Sequence, residues 1–171
     1  MTYFEFFDIP LAFDIDLKSL RTVYLENSRK FHPDFALANG LDLDEALVKS
    51  SLNNKAYKTL ISAELCRAYI LEIKGLLGAE KEQLPMEFLM EMMDLNERVA
   101  DLQLEHSSGQ VEEVLNAQEE LQKSVLISLE RAEKEFDKAQ EISALEKVKE
   151  FHLKHKYILR IKESIDTFAA L

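Results

Sequence analysis

Apolar side chains recur along this chain at intervals of about three or four residues, which places them on one face of an α-helix. Only four glycines and three prolines interrupt this pattern in 171 residues. All-β sandwiches and doubly wound α/β folds need glycine or proline in most of their turns, so a chain with so few favours an all-α fold. We therefore predict long helical segments separated by a small number of breaks.

Four helices are predicted before residue 75. A short apolar segment over residues 3–9 comes first and ends before Pro10. Asp16 can cap a second helix that runs to about Phe31, and Pro33 stops it because the residue before a proline is pushed out of the α region. A third helix to residues 60–61 and a fourth over residues 63–73 begin at pairs with capping chemistry, namely Asp42 with Glu45 and Ser62 with Glu64.

The second helix has an apolar and a basic face. The apolar face is predicted to pack inward and consists of Leu20, Val23, Tyr24, Asn27 and Phe31. The opposite face carries Lys18, Arg21 and Arg29, and Lys30 lies off this stripe but close to it. We call these four cations the basic face.

A second domain is predicted to follow a junction at residues 76–84, which leaves a first domain over 1–75 and a helical bundle over 85–171. The formal charge changes there, from −2 over residues 1–75 to −9 over residues 76–171. Pro85 suits the first turn of a helix to about Glu105, and a turn with a capping serine is predicted at residues 107–109. Residues 110–168 are predicted to be helical with one break near 137–143, where Ser143 and Glu146 have capping-box spacing.

Composition excludes several classes of protein. An apolar fraction of 47% is enough for a packed core, and a net charge of −11 argues against nucleic acid or an anionic membrane as the main partner. Cys66 is the only cysteine, so a disulfide framework and a thiolate zinc site are excluded. The sequence has no apolar run long enough to span a membrane and no signal or transit peptide features at its start, so we expect a cytoplasmic protein.

The tripeptide His32-Pro33-Asp34 after the basic helix is the first candidate for function. Proline stiffens a loop and lowers the entropy lost on binding, while the polar groups of His32 and Asp34 can face a partner. The basic face can steer the chain toward an acidic surface. A simpler explanation is that His32 caps the end of the helix and that the cations are ordinary solvated charges.

The order of elements around this tripeptide resembles the J-domain, the module that stimulates ATP hydrolysis by DnaK-type chaperones. That order is a short helix, the basic helix, the His-Pro-Asp loop, a long helix and a further short helix. The resemblance implies that His32, Pro33, Asp34 and the basic face dock on such a chaperone. The commonest J-domains have lysine after the tripeptide, whereas this chain has Phe35.

The opening segment Tyr3-Phe4-Glu5-Phe6-Phe7-Asp8-Ile9-Pro10 and the two-part layout are similar to the HscB family over essentially all 171 residues. This resemblance implies a co-chaperone of iron–sulfur cluster assembly, with an N-terminal J-domain and a C-terminal three-helix bundle. Some members of that family carry an extra N-terminal four-cysteine metal module, which Cys66 alone cannot form.

The helix after Pro85 carries two apolar stripes. The first is predicted to be the core stripe and consists of Phe88, Met92, Leu95, Val99 and Leu102. The second, which we call the methionine face, consists of Met86, Leu89, Met90, Met93, Ala100 and Leu104, bordered by Asp94, Glu97 and Asp101. One stripe suffices for a three-helix bundle, so the methionine face must either pack on the other domain or meet a partner.

The HscB resemblance implies a partner for this face, an iron–sulfur scaffold protein of the IscU type. The matching positions are Leu89, Met90, Met93, Asp94, Glu97 and Asp101. Leu153 on the last helix matches a further contact and is expected to be exposed, pointing away from a core face made of Ala144, Val148, Phe151, Ile158 and Ile165.

Sites of other kinds find little support in the sequence. His152 and His155 are three residues apart and could share a metal, but they have lysine neighbours and no companion cysteine, so we expect surface residues and no metal site. Neither a phosphate-binding glycine loop nor a nucleophile elbow occurs, and no cofactor is expected.

We therefore favour a co-chaperone that is not itself an enzyme. It would bind the scaffold protein, present it to an HscA- or DnaK-class ATPase and stimulate that ATPase. Two alternatives remain open: a J-domain protein that delivers another client, and a helical scaffold or regulator with no link to chaperones.

Overall fold

A computed structural model describes residues 1–36, 38, 40–77, 84–104 and 108–169, with the side chains of residues 102–104, 108–111 and 166–169 left out. The described residues contain no strand, which confirms the all-α fold. They form a 3₁₀ turn at Pro33–Phe35 and the helices α1 Tyr3–Phe7, α2 Leu17–Lys30, α3 Leu43–Leu60, α4 Ala63–Ile73, α5 Met86–Leu104, α6 Ser108–Ala139 and α7 Ile142–Ala169. The chain divides into two compact units, Met1–Gly78 and Ala79–Leu171.

Side-chain caps fix the starts of α2, α3 and α4, as the sequence predicts. The Asp16 carboxylate accepts the amides of Lys18 at 2.9 Å and Ser19 at 3.3 Å. The Asp42 carboxylate accepts the Glu45 amide at 2.7 Å. The Ser62 hydroxyl accepts the Leu65 amide at 3.3 Å. Each cap satisfies an amide that the first turn of a helix would otherwise leave without a partner.

Helices α2 and α3 form a hairpin whose contacts include a buried amide and an aromatic stack. The Nδ2 of Asn53 donates to the Tyr24 carbonyl and to the Ser28 hydroxyl, each at 3.1 Å. The rings of Tyr24 and Tyr57 stack with their centroids 4.0 Å apart. These contacts lie along the apolar face predicted for α2, on which Leu20 and Phe31 are buried and Val23, Tyr24 and Asn27 are half-buried. They set the register that places the loop after α2 beside the start of α3.

In the second unit, α5, α6 and α7 share one core. Its buried members are Phe88, Met92, Leu95, Val99, Val114, Val125, Ile158, Ile161 and Ile165. The predicted core stripe of α5 is thus confirmed at its first four positions, and the side chain of Leu102 lies outside the described residues. Lys147 on α7 donates to the Glu135 carboxylate on α6 at 2.8 Å, which links the two longest helices.

The break between α6 and α7 falls within the predicted range, but its capping differs from the prediction. Gln140 adopts a left-handed conformation with φ 55°, and its amide donates to the Phe136 carbonyl at 2.7 Å, which ends α6. Because α7 starts only two residues later, Ser143 lies inside it and does not cap it. The Glu141 carbonyl instead accepts the amides of Ala144 at 3.2 Å and Leu145 at 3.4 Å.

Two other boundaries also differ from the prediction. Pro85 immediately precedes α5, which begins at Met86, and its carbonyl accepts the Leu89 amide at 3.1 Å. The turn predicted at residues 107–109 is wrong at Ser108 and Gly109, which form the first residues of α6. One glycine costs only about 1 kcal/mol in a helix, a small loss beside the packing of a helix of 32 residues. Ser107 and the predicted end at Glu105 lie outside the described residues.

Candidate protein-docking surfaces

The His32 loop, residues 32–35, is an ordered turn with its polar side chains exposed. Helix α2 ends at Lys30, and Pro33 begins a 3₁₀ turn whose N-cap is His32. The Nδ1 atom of His32 accepts the Asp34 amide at 3.2 Å. The ring thus caps the turn that follows it. His32 and Asp34 are exposed, and Pro33 is half-buried.

The hydrogen bond to Nδ1 has a consequence for what His32 can offer a partner. A neutral imidazole carries one proton, so when Nδ1 accepts the Asp34 amide that proton is assigned to Nε2. The Asp34 carboxylate lies 3.7 Å from Nδ1. The loop therefore presents an N–H donor on His32 next to a carboxylate acceptor on Asp34.

Buried aromatic packing holds the base of this loop. Phe31, the last residue before His32, is buried, and its ring centroid lies 6.1 Å from that of Phe6 on α1. The ammonium groups of Lys30 and Lys49 lie 5.6 and 5.5 Å from the Phe31 ring centroid. Helices α1, α2 and α3 therefore all fix the point from which the loop starts, which lowers the entropy that binding must remove.

The basic face of α2 is exposed along its whole length, as predicted for Lys18, Arg21, Arg29 and Lys30. Arg29 and Lys30 lie next to the His32 loop, whereas Lys18 lies about 18 Å from Lys30 along a helix that rises about 1.5 Å per residue. The structure thus brings half of the basic cluster to the loop and places the other half at the far end of α2.

The cap at Asp16 keeps the start of this basic helix in place. The Ser19 hydroxyl donates to the Asp16 carboxylate at 2.7 Å, in addition to the two backbone amides. These hydrogen bonds, chiefly that from the Ser19 hydroxyl, lower the pKa of Asp16 below its usual value of 3.8. A carboxylate at this end also stabilises the positive end of the helix dipole.

The methionine face of α5 has four exposed residues, Met86, Met90, Met93 and Ala100, and the side chain of Leu104 lies outside the described residues. Met90 is 64% and Met93 71% exposed, and Leu89 of the same face is half-buried. The acidic border of Asp94, Glu97 and Asp101 is exposed as well. Helix α5 therefore buries one apolar stripe and leaves polarizable methionine side chains open to solvent beside three carboxylates.

Leu153, in contrast, is buried, although the sequence predicts that it is exposed. It is only 8% exposed, and from Lys149 to Leu159 every residue except Lys156 is buried or half-buried. A helical wheel that assumes one core face fails here because this part of α7 is covered on most of its circumference. Leu153 therefore does not join the exposed docking surface.

The same burial corrects the prediction for His152. His152 is buried and His155 half-buried, so His152 is not a surface residue. Within the described residues, no group of three or more His, Cys, Asp or Glu side chains could hold a metal ion. Nor, in that same part of the chain, does any helix have the length and apolarity needed to cross a membrane.

Two residues near the His32 loop have surroundings that the sequence pattern does not reveal. Asn53 joins α3 to α2 and is only 1% exposed, although asparagine is most often a surface residue. Phe35 is exposed within the loop, although phenylalanine is usually buried. The only sequence signals were the Asn-Asn pair in α3 and the unusual residue after the tripeptide.

Comparisons with known proteins connect both units to one family. Residues 84–166 match the family described as the HSCB C-terminal oligomerisation domain. The co-chaperone protein HscB homolog of Acinetobacter baumannii is 45% identical over 74 residues, which cover 43% of this chain and 41% of that protein. The human iron-sulfur cluster co-chaperone protein HscB is 31% identical over 167 residues, which cover 95% of this chain and 66% of the human protein.

Solved structures are similar over nearly the whole chain. The crystal structure of human co-chaperone protein HscB covers 99% of this chain and 82% of its own, with a TM-score of 0.66 and 26% identity. Chaperone HscB from Vibrio cholerae covers 99% of this chain and 98% of its own, with a TM-score of 0.69. At 24% identity the second likeness shows the fold alone.

Proposed function

This chain belongs to the HscB family, and from that membership we propose that it acts as a co-chaperone in iron–sulfur cluster assembly. Its bundle binds an IscU-type scaffold protein, and its first unit presents that scaffold to an HscA- or DnaK-class chaperone and stimulates the chaperone's ATPase. The chain matches about two fifths of the length of the Acinetobacter relatives and about two thirds of the human one, so these activities are proposals for this protein.

The ordered and exposed His32 loop is the observation that carries this proposal. Its backbone is fixed by the cap on Asp34 and by the buried Phe31 behind it, so docking removes little further freedom. His32 offers a hydrogen-bond donor and Asp34 an acceptor. This pair suits contact with a polar partner surface better than burial in the hydrophobic core of this protein. Arg29 and Lys30, the part of the exposed basic face beside the loop, favour a partner whose surface is acidic.

The methionine face is the proposed scaffold site. Met90 and Met93 give a flexible apolar contact that can adapt to its partner, and Asp94, Glu97 and Asp101 supply a charged rim that selects among partners. Leu153 is omitted from this site because it is buried.

Carrying both sites on one chain couples the two partners. A scaffold bound to the bundle is held near a chaperone bound to the first unit, so its effective concentration at the chaperone rises without any new contact. The binding of the scaffold and the binding of the chaperone are then coupled, so that each one favours the other. ATP and Mg²⁺ belong to the chaperone, so ATP hydrolysis needs no catalytic residue or cofactor from this chain. We propose that this hydrolysis takes place in the cytoplasm.

The docking role of the loop is tested by His32→Gln in the full chain. The His32 imidazole caps the turn through Nδ1 and offers an N–H donor at its Nε2. Glutamine has no imidazole, so we expect stimulation of a DnaK-class ATPase to be lost. Scaffold binding should be unchanged because the substitution lies in the other unit. Persistent stimulation by the His32→Gln variant at saturating concentration would rule out the docking role.

The scaffold site is tested by the double substitution Met90→Ala, Met93→Ala. Removing two exposed apolar side chains from an interface is expected to weaken scaffold binding roughly tenfold to a hundredfold, measured by calorimetry. Ile127→Ala with Ile142→Ala is a matched control, because both isoleucines are exposed in the same unit but lie on α6 and α7. Equal losses in both double variants would argue against a specific methionine site. Tight binding of another client with no scaffold binding would favour a different cargo.

A further inference from the structure

Phe35 is an exposed aromatic side chain in the middle of the proposed docking loop. It closes the 3₁₀ turn at Pro33–Phe35 and is 56% exposed. Its ring centroid lies 5.7 Å from that of His32, with an angle of 53° between the two planes. The side chain therefore projects next to the imidazole that is proposed to meet the chaperone.

The backbone on both sides of Phe35 is fixed. The Phe35 amide donates to the His32 carbonyl at 3.0 Å, and the Ala36 amide donates to the Pro33 carbonyl at 3.2 Å. Ala36 is buried, and its carbonyl accepts the Leu41 amide at 2.9 Å. The backbone of Phe35, from which its ring projects, is thus held at a fixed place relative to His32 and Asp34.

The fold of the first unit does not account for an aromatic residue at this position. The nearby core is filled by Phe31, which is buried, whereas more than half of Phe35 stays in water, so Phe35 gains less from burial on folding than Phe31 does. A polar residue would suit an exposed turn at least as well. Aromatic side chains are, however, enriched among the residues that dominate protein interfaces.

We propose that Phe35 is an apolar anchor that selects the chaperone partner, a proposal that rests on the function given above and deepens it. Its ring enters an apolar recess on the DnaK-class ATPase, next to the groups that meet His32 and Asp34. A cation on the chaperone faces Asp34, and an acidic surface faces Arg29 and Lys30. A chaperone with a carboxylate in place of the recess is bound poorly, because that carboxylate would be desolvated against the ring.

An apolar anchor differs from the basic face in its response to salt. Attraction between exposed charges is screened as ionic strength rises, whereas the burial of an aromatic ring is not weakened by screening. The contribution of Phe35 to docking should therefore persist at a salt concentration that removes the contribution of Lys18 and Arg21.

The test measures stimulation of a DnaK-class ATPase as a function of the concentration of the full chain. Phe35→Ala is expected to raise the concentration for half-maximal stimulation about tenfold and to leave the maximal stimulation unchanged. Phe35→Leu keeps an apolar side chain and should stay close to the wild type. Leu65→Ala is the matched control, because Leu65 is also an exposed apolar residue of the first unit but lies on α4.

Repeating the assay from about 0.05 to about 0.5 M salt separates the two kinds of contact. The Phe35→Ala defect should keep its size, while the defect of Lys18→Ala with Arg21→Ala should shrink. A Phe35→Ala variant within twofold of the wild type, or one with lower maximal stimulation at an unchanged midpoint, overturns the anchor.

The His32→Gln variant in the same series keeps this proposal distinct from the one on which it rests. If His32→Gln abolishes stimulation and Phe35→Ala has no effect, the anchor is wrong and the docking role of the loop stands. If His32→Gln stimulates normally, the docking role fails and the anchor falls with it.

Discussion

Asn53 illustrates how a single buried polar side chain positions the proposed docking loop. Its amide nitrogen donates to two acceptors on α2, the Tyr24 carbonyl and the Ser28 hydroxyl. Both acceptors lie in the last two turns of α2, and the loop starts immediately after them. A buried amide without partners would cost free energy, so the hairpin is favoured in the register that satisfies both bonds.

Leu153 is predicted from the sequence to be an exposed contact residue, but it is buried in the structure. Its substitution should therefore affect stability. Truncating a buried leucine leaves a cavity, so Leu153→Ala should lower the free energy of unfolding by about 2–4 kcal/mol. Met93→Ala removes a side chain that is 71% exposed and should change it by no more than about 0.5 kcal/mol. Urea unfolding of both variants measures this. A Leu153→Ala variant as stable as Met93→Ala would contradict the burial of Leu153.

Residues whose role depends on local chemistry are predictable from the sequence. Asp16, Asp42 and Ser62 were all predicted as caps, because a capping side chain bonds amides two or three residues away. Asn53 and Leu153 could not be placed in the same way. Their surroundings come from helices distant in the sequence, and no local pattern reports those neighbours.

At the scale of the helices, the cap of α2 gives a prediction for pH dependence. The pKa of Asp16 is lowered in the folded chain, so its carboxylate stabilises the fold at pH values above the usual pKa of 3.8. This contribution is lost as the pH falls through the lowered pKa. Asp16→Asn keeps an oxygen that can cap the helix but does not ionise. The wild type should therefore be the more stable of the two at neutral pH, and this advantage should disappear in acid.

Urea unfolding of the wild type and of Asp16→Asn at a series of pH values measures that difference directly. The comparison cancels the titration of the other carboxyl groups, since both chains carry them. A difference in stability that stays constant from neutral pH to strongly acidic pH would show that ionised Asp16 does not stabilise α2.

The helices themselves were largely predictable, and their exceptions have a common cause. The break between α6 and α7 was expected from length and pairing, and Gln140 provides it without any glycine. Ser108 and Gly109 were expected in a turn but belong to α6, because packing along a long helix outweighs one poor helix former. The middle of α7 is covered on most sides, so the pattern of one apolar face underestimates its burial.

At the scale of the whole molecule, the charge is distributed unevenly along the sequence. Residues 1–75 carry a formal charge of −2 and residues 76–171 carry −9. The first unit is therefore nearly neutral and has an exposed basic face on α2, so a net charge of −11 does not prevent it from approaching an acidic partner. The acidic second unit instead suits a partner with basic groups opposite Asp94, Glu97 and Asp101.

We propose that one chain couples a scaffold protein to a chaperone ATPase through two separate surfaces. The most direct measurement is the steady-state ATPase rate of a DnaK-class chaperone with the chain, with an IscU-type scaffold, and with both. We predict that both together stimulate the rate by more than the sum of their separate effects. His32→Gln should abolish this stimulation, and Met90→Ala with Met93→Ala should remove only the synergy. A merely additive rate with the wild-type chain, or synergy that survives His32→Gln, would show that the chain does not couple the two partners in this way.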